Sequence, residues 1–394
     1  MILQRNNTLL ISFFLLGLLA SLFGGFKVGP ANFHAYLAFI STILIVLIYV
    51  SSNRTSIKIW YIPIAFTILI SIPRFNGQIG FLQIIYTLCP FLCFLLGTTV
   101  KKKNEFTENL IRLSNRILMV LVFCCIFYLL TGLTDLDSRA STIFIALILL
   151  INLILPSSRK IKLITIVLSI FILLVGARGA LFSFLISYLF STILSKFKLR
   201  YSLTLMFLFI FVLAFFNKII LDIIFSNSYL RDRTFYDGVY SYDKLIAFDF
   251  NTSGRDLAWP VYWDHILGRS NDLLLFLFGD GPGSASTYGL EMLGSSWAHP
   301  HNEFIRILFD YGTFGLFSFL LFWINIIYTV IRWGGEFEKK ICLALAFFTI
   351  LIMSTDNPLM YPLYYGNLSL FLLGFSYSSS YQRKFSEYRK FPLI

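Results

Sequence analysis

The sequence predicts an all-α polytopic membrane protein with about 12 transmembrane helices and one large loop on the outer side of the membrane. Composition is the first reason. Of the 394 residues, 57% are hydrophobic and 13% are charged, and the mean hydropathy is +0.78. Soluble domains carry about a quarter of charged residues, so a soluble enzyme or a nucleic-acid-binding domain is excluded despite the net charge of +12.

Apolar runs that suit a bilayer crossing are the second reason. The first run follows Arg5 and is interpreted as an uncleaved helix, because no clear signal-peptidase site follows it. The runs cover residues 8–26, 35–50, 59–73, 79–98, 117–133, 141–156, 161–176, 179–195, 203–222, 310–331, 339–355 and 365–378. The chain then divides into residues 1–225 with nine spans, a loop of residues 226–309, and residues 310–394 with three spans and a cytoplasmic tail.

The distribution of basic residues is the third reason. Each predicted inward loop and both termini hold Lys or Arg, whereas the short outward loops hold only Lys27, Arg74, Arg139 and Arg178. Lys and Arg concentrate on the cytoplasmic side of membrane proteins. Both termini are therefore predicted to be cytoplasmic, and the long loop is predicted to lie outside.

The long outer loop is rich in aromatic residues. They are Tyr229, Tyr236, Tyr240, Tyr242, Trp259, Tyr262, Trp263 and Tyr288. Trp and Tyr often lie at the membrane interface, which is the simpler interpretation of each ring, but together they could also stack on sugar rings. The GDGPG segment at residues 279–283 predicts a turn; without a preceding strand it does not indicate a nucleotide-binding loop.

Residues 298–315, AHPHNEFIRILFDYGTFG, place polar side chains beside a membrane span. Pro300 suits the first position of a helix, so a helix is predicted to begin near His301. Its free N–H groups would form a site for phosphate at the outer surface. Arg306 either joins that site or pairs with Asp310 one turn along, and His301 either exchanges a proton or caps the helix.

Three further charged residues lie at predicted turns on the outer side. Arg178 interrupts an apolar stretch and either lines a site or extends to lipid headgroups. Arg255 precedes a predicted helix over residues 256–267, and Asp356 follows the eleventh span, where its alternative role is to cap a helix end. Arginines and a helix N-terminus suit a diphosphate, because guanidinium donates paired hydrogen bonds to phosphate oxygens.

No metal or cofactor site is predicted. His299 and His301 offer two nitrogen ligands, but no HExxH spacing and no cysteine pair completes a zinc site. Ser284 and Ser286 come just after the glycine-rich segment but do not form a GxSxG motif. The five cysteines all lie in apolar runs, so neither a disulfide framework nor a thiolate site is expected.

The polar segment resembles a known signature. His301 and Asn302, followed after nine residues by Gly-Thr-Phe-Gly from Gly312, resemble the HN-x9-G-x-x-G pattern of the O-antigen ligase and O-antigen polymerase superfamily of bacterial inner-membrane proteins. Three other positions agree with that pattern: Arg178 in a GARGA-like segment, Arg255 in the large loop and Asp356 after the next span.

The resemblance implies a metal-independent, inverting glycosyltransferase whose donor is a glycan linked to undecaprenyl diphosphate. The implied roles are His301 as the catalytic residue that activates the acceptor hydroxyl, Arg178, Arg255 and Arg306 as diphosphate ligands, and Asn302 and Asp356 as supporting residues. Gly312 and Gly315 are expected to serve close helix packing. No cofactor is implied.

The expected function is that of a polymerase of O-antigen or a related surface polysaccharide, in lipopolysaccharide biosynthesis at the periplasmic face of the bacterial inner membrane. Its partners would be the lipid-linked oligosaccharide, membrane lipid and a chain-length regulator protein. The motif also fits an O-antigen ligase that transfers glycan to lipid A core, but the aromatic and acidic loop favours a sugar acceptor. A lipid-linked oligosaccharide flippase is less favoured, because no repeat relates the two halves.

Overall fold

A computed structural model describes residues 2–23, 27–28, 31–51, 69, 72–74, 77–100, 103–131, 138–155, 162–176, 178–197, 204, 255–294, 299–355 and 365–390. These residues form α-helices, two 3₁₀ turns (Ile72–Arg74 and Arg269–Asn271) and a short antiparallel pair of strands, β1 (Lys27–Val28) and β2 (Ala31–Asn32). The helices are α1 (Ile2–Phe23), α2 (Phe33–Ser51), α3 (Gly77–Gly97), α4 (Lys103–Thr131), α5 (Ser138–Ile154), α6 (Lys162–Gly176), α7 (Arg178–Leu194), α8 (Arg255–Gly268), α9 (Leu273–Phe278), α10 (Ser284–Leu293), α11 (Glu303–Trp333), α12 (Glu336–Thr355) and α13 (Asn367–Lys390).

The helical class and the membrane character predicted from hydropathy are confirmed. Within the described ranges, three stretches are long and apolar enough to cross a membrane: Ile79–Gly97, Glu105–Phe127 and Glu303–Trp333. Several other apolar helices are shorter. The predicted spans at 59–73 and 203–222 and the loop residues 226–254 lie almost wholly outside the described residues. The number of about 12 spans and the three-part division therefore stay predictions.

Two helices begin well before the spans predicted from hydropathy. Helix α4 starts at Lys103 although the predicted span starts at residue 117, and α11 starts at Glu303 although the predicted span starts at residue 310. The early turns of both helices carry charged residues, and a hydropathy criterion detects only the apolar part of a helix. For α11 these extra turns contain most of the candidate site.

The helices α3 and α13 cross with their backbones in close contact. A Cβ at Gly97 would collide with the carbonyl oxygen of Phe371, and a Cβ at Gly374 would collide with that of Phe94. Glycine on both helices thus lets the two backbones touch, as small residues do in membrane helix pairs. Helix α3 is fixed by this contact, and its other end reaches α10 and the start of α11.

Helices α8, α9 and α10 form a small substructure that packs against α11. Its apolar core contains Ala258, Tyr262, Ile266, Ala285, Leu293, Ile305, Leu308 and Phe309. These helices belong to the predicted outer loop, so the second half of that loop is ordered on the first turns of α11. The candidate site lies where this substructure meets α11.

Candidate functional site

Residues 299–302, here named the HPHN turn, lead into α11. Asn302 is the N-cap, because its Oδ1 accepts hydrogen bonds from the backbone N–H groups of Phe304 (3.0 Å) and Ile305 (3.1 Å). Such a cap satisfies N–H groups that have no partner within the first helical turn. The predicted helix start is confirmed, and the cap is Asn302 in place of His301.

Three other helices hold the HPHN turn. The carbonyl of Pro300 accepts a hydrogen bond from Trp259 Nε1 on α8 (2.7 Å). The side-chain amide of Asn302 donates to the carbonyl of Ser354 near the end of α12 (3.2 Å). The ring of His299 is hydrogen-bonded to α10. The turn is therefore fixed at three of its four residues.

The fourth residue of the turn, His301, has an unusual backbone. Its φ is +47°, and it is the one non-glycine residue with positive φ among those the structure describes. This left-handed conformation is uncommon for residues with a Cβ, and such strain, on the order of 1–3 kcal/mol, collects at functional sites. The fixed neighbours keep His301 in this conformation, with its side chain half-buried.

Arg306 lies in a buried ionic network one turn into α11. Arg306, Glu303 and Asp310 each have 0% exposure. Arg306 Nε donates to Glu303 Oε1 (2.6 Å), and Nη1 lies 3.3 Å from Asp310 Oδ2. Two side chains of α3 complete the coordination, with Nη1 donating to Gln83 Oε1 (3.2 Å) and Nη2 to Thr87 Oγ1 (3.3 Å).

This placement corrects the expected contact of Arg306 with diphosphate. A charge without solvent exposure is tolerated when its protein partners replace water, and breaking those pairs is costly. Each guanidinium nitrogen of Arg306 already has a protein acceptor. The alternative interpretation, pairing with Asp310 one turn along, is confirmed.

Asp310 joins the network to the glycine-rich turn. Its carboxylate accepts hydrogen bonds from the backbone N–H groups of Ala285 (2.9 Å) and Gly283 (3.3 Å), at the first turn of α10. The turn predicted for residues 279–283 is confirmed, and a helix follows it. The carboxylate of Asp310 therefore occupies the N-terminus of α10. The two acids of the network, Glu303 and Asp310, are balanced by the guanidinium of Arg306 and by the positive end of the α10 dipole.

Helix α11 is interrupted at Gly312, which has φ 69° and ψ −171°. A Cβ there would collide with the backbone of Leu277 and Gly279, so the close approach of α9 requires glycine. The non-helical backbone at Gly312 is also a kink between the two parts of α11. The first glycine of the motif thus serves packing, as expected, and also breaks the helix.

Arg269 supplies donors at this interruption. Its Nη2 donates to the carbonyl of Leu308 (2.6 Å), and its Nη1 donates to the carbonyl of Phe309 (2.9 Å) and to Asp280 Oδ2 (2.7 Å). His265 Nε2 lies 2.8 Å from the same Asp280 oxygen. Arg269 is 7% exposed. No local sequence pattern marks Arg269, because its acceptors on α11 are about 40 positions away in the chain.

The aromatic residues of the outer loop separate into buried and exposed rings. Tyr262 has 0% exposure and packs against Phe309 (ring centroids 5.8 Å apart) and Tyr288 (5.9 Å). Burial raises the pKa of the Tyr262 hydroxyl. This ring belongs to the core of the substructure, which argues against sugar stacking, whereas Trp263 is 41% exposed. The predicted rings between residues 229 and 242 lie outside the described residues.

The other predicted site residues lie at helix ends. Arg178 is the first residue of α7, directly after α6 ends at Gly176, and Arg255 is the first residue of α8. The start of α7 agrees with the predicted turn at Arg178, and the start of α8 agrees with the helix predicted over residues 256–267. The side chains of both arginines lie outside the described part of the structure. Asp356 also lies outside it, just after α12 ends at Thr355.

Two contacts bring these ends to the HPHN turn. Trp259, which bonds to Pro300, lies one helical turn after Arg255 on α8. Ser354, which bonds to Asn302, lies at the end of α12. The starts of α8 and α11 and the end of α12 therefore meet at one place.

Comparison with known proteins gives a family match for part of the chain. A search of curated proteins finds no match to the chain. Residues 163–320 match the family model described as O-antigen ligase. The matched region contains Arg178, Arg255 and the HPHN turn and ends within α11, whereas Asp356 lies beyond it. The resemblance of this membrane protein to the O-antigen polymerase and ligase superfamily is thereby confirmed.

Proposed function

We propose that the protein is a polymerase of O-antigen or a related surface polysaccharide. It would transfer a glycan from undecaprenyl diphosphate to the terminal sugar of a lipid-linked repeat. The observation that carries the proposal is the HPHN turn, where His301 has a strained backbone between residues held by three helices, inside the region that matches the family. A turn fixed in this way suits a residue that must meet a reacting hydroxyl in a defined geometry.

The proposed reaction is a direct displacement at the anomeric carbon of the donor. His301 takes the proton of the acceptor hydroxyl, the acceptor oxygen forms the new glycosidic bond, and the bond between the anomeric carbon and the diphosphate oxygen breaks. The configuration is inverted, no metal is used, and undecaprenyl diphosphate leaves. Arg178 and Arg255, at the starts of α7 and α8, would hold the diphosphate and stabilise its growing charge.

The supporting residues act through position. Asn302 fixes the helix start and ties it to α12, and Asp356, just beyond α12, would assist the acceptor side. Arg306 is assigned an indirect part here, because the buried network that it centres determines how α3, α10 and α11 fit together. This replaces the direct contact with diphosphate expected from the sequence.

We place this site at the periplasmic face of the inner membrane, in a chain of about 12 spans with both termini in the cytoplasm. The support is the positive-inside distribution of Lys and Arg together with the apolar helices. The lipid-linked donor and acceptor would reach the site from the outer leaflet, and a chain-length regulator protein would be a partner in the membrane.

The main alternative is an O-antigen ligase, which uses the same donor and transfers the glycan to lipid A core. The family match favours neither activity. A loop with acidic and aromatic residues suits a sugar acceptor better than a phosphorylated core. The exposed ring of Trp263 is the described residue of that loop that fits this argument best. A flippase would need neither His301 nor the arginines at helix ends.

Gene deletion in the host tests the proposal. Lipopolysaccharide would be resolved by gel in the deletion strain and after complementation with the wild type or with His301→Ala. Core carrying a single repeat is expected in the deletion, and His301→Ala is expected not to restore polymer despite normal amounts of protein. Core without any repeat, with polymer on the carrier lipid, would identify a ligase. Full complementation by His301→Ala would remove His301 from the mechanism.

A further inference from the structure

A buried row of hydrogen bonds runs from the ionic network to the HPHN turn. Arg306 Nη1 lies 3.2 Å from Gln83 Oε1, Gln83 Nε2 lies 3.5 Å from Ser286 Oγ, and Ser286 Oγ lies 2.8 Å from His299 Nδ1. Gln83 and Ser286 are 2% and 4% exposed. The row joins α11, α3, α10 and the turn, and it ends two residues before His301.

Arg306 determines the direction of this row. A guanidinium has donors only, so Gln83 must turn its carbonyl oxygen to Arg306, and its amide nitrogen then donates to Ser286 Oγ. The hydroxyl proton of Ser286 needs a different acceptor. Among the described residues, the acceptor that the structure gives it is His299 Nδ1.

The direction of the row assigns a tautomer to His299. A ring nitrogen that accepts a hydrogen bond carries no proton, and a neutral imidazole has one proton on its two nitrogens. The proton of neutral His299 is therefore on Nε2. In this state Nε2–H is a hydrogen-bond donor, and the ring has no second lone pair with which to act as a base.

We propose that His299 is a catalytic residue that donates a hydrogen bond from Nε2 to a substrate oxygen, in a tautomer fixed by Arg306, Gln83 and Ser286. This inference rests on the proposed transfer function and deepens it. His299 is half-buried in the same turn as His301. A fixed N–H group there matches the negative oxygens of a diphosphate leaving group, while His301 receives the proton of the acceptor. The two histidines would thus have opposite roles.

The tautomer can be measured without any activity assay. The chain has four histidines, so full-length protein labelled with ¹⁵N-histidine in nanodiscs gives few ring signals, and the His299→Gln variant identifies those of His299. We expect a proton on Nε2 and none on Nδ1. A wild-type spectrum with the proton on Nδ1 would overturn the assignment.

Gln83→Glu should reverse the direction of the hydrogen bond between Ser286 and His299. A carboxylate accepts from both Arg306 and Ser286, so the Ser286 hydroxyl then accepts from His299, and Nδ1 gains a proton. Thr87→Val is the matched control, because Thr87 lies one turn along α3 and contacts Arg306 without belonging to the row. We expect Nδ1 to remain unprotonated in Thr87→Val. An unprotonated His299 Nδ1 in Gln83→Glu would show that Gln83 does not determine the tautomer of His299.

The donor role is tested with two substitutions of similar size. His299→Gln keeps an N–H donor close to the position of Nε2, whereas His299→Glu offers only acceptors. In a transfer assay with purified protein, His299→Gln should stay within about fivefold of wild type, while His299→Glu should lose ~100-fold, the scale of one lost oxyanion donor. Equal loss in both would overturn the donor role. Absence of transfer in the wild type would overturn the proposed function, and the tautomer measurement would stand by itself.

Discussion

Asn302 combines two contacts that can be separated by substitution. Its Oδ1 caps α11, and its Nδ2 donates to the carbonyl of Ser354 on α12. Asn302→Asp keeps the cap and loses the donor, whereas Asn302→Ala loses both. We expect Asn302→Ala to lower stability by about 1 kcal/mol and Asn302→Asp to lower it less. Both should reduce transfer, because the link between α11 and α12 is lost.

Thermal unfolding in detergent and a transfer assay on the same preparations check this pair. The control is the same pair of substitutions, to Ala and to Asp, at Asn271, which lies in the 3₁₀ turn before α9. Wild-type transfer by Asn302→Asp would show that the contact with α12 is not needed for the reaction.

Arg306 distinguishes a structural cation from a substrate ligand. Replacing it with Met leaves Glu303 and Asp310 buried without their cation, which costs about 3–5 kcal/mol when one partner of a buried pair is removed. We expect Arg306→Met to reduce the amount of folded protein. Arg178→Met, at the start of α7, should fold normally and lose transfer.

Size-exclusion profiles and unfolding midpoints in detergent measure the first effect, and a transfer assay measures the second. A well-folded Arg306→Met protein with weakened donor binding would restore the role that the sequence suggested for this arginine.

At the level of single residues, the positions of polar groups along the helices could be predicted from the sequence, but the partners that these groups contact could not. Pro300 and the polar residues after it marked the helix start, because capping is a local property of a few successive residues. The burial of Arg306 depends on Gln83 and Thr87, which are more than 200 positions away in the chain. Without these tertiary contacts, the local sequence around Arg306 is equally compatible with an arginine that binds a ligand and with an arginine in a buried ion pair.

The interruption of α11 is the main feature at the level of elements. Gly312 has φ +69°, and a Cβ there would meet the backbone of α9. Gly312→Ala should therefore destabilise the protein by about 3 kcal/mol or more, from strain and collision together. Gly268→Ala is the matched control, because Gly268 has φ −60° and open space around its Cβ position.

Unfolding midpoints of the two variants in the same detergent give the comparison. Gly268→Ala should be neutral or slightly stabilising, since alanine has less freedom in the unfolded chain. Equal stability of Gly312→Ala and wild type would mean that the interruption is not built into the fold.

The helices themselves were predictable, but the break in α11 was not. Hydropathy identifies long apolar segments because the bilayer demands them. The sequence also showed Gly312 and Gly315 in a motif, and this was interpreted as packing. The break in α11 depends on donors from another part of the chain: the Arg269 guanidinium donates to the carbonyls of Leu308 and Phe309, and the backbone N–H of Asp280 also donates to the carbonyl of Phe309.

The orientation of the whole molecule can be tested across α11. Glu291, exposed on α10 before this helix, is predicted to be periplasmic, and Glu336, exposed at the start of α12, is predicted to be cytoplasmic. With a membrane-impermeant maleimide on cells with a permeable outer membrane, Glu291→Cys should be labelled and Glu336→Cys should not. Labelling should reverse in inverted membrane vesicles. The opposite pattern would invert the proposed topology and place the site in the cytoplasm.

For the molecule as a whole, the membrane character and the superfamily could be predicted from the sequence, whereas the packing around the HPHN turn could not. Composition and charge predicted a membrane protein with an outer loop, and the signature predicted the superfamily that residues 163–320 match. The choice between polymerase and ligase depends on the acceptor, which is recognised by shape and by contacts that no motif encodes. The meeting of α8, α11 and α12 at the HPHN turn required coordinates, because it depends on how distant segments pack.

Transfer by purified protein is the sharpest test of the proposed polymerase activity and of the role of His301. Lipid-linked repeats extracted from the deletion strain would be incubated with wild-type protein or His301→Ala in nanodiscs, and the products analysed by mass spectrometry. We expect the wild type to join repeats on one carrier and to release one undecaprenyl diphosphate for each bond formed, while folded His301→Ala forms none. Oligomer formation by His301→Ala at the wild-type rate would contradict the catalytic role of His301.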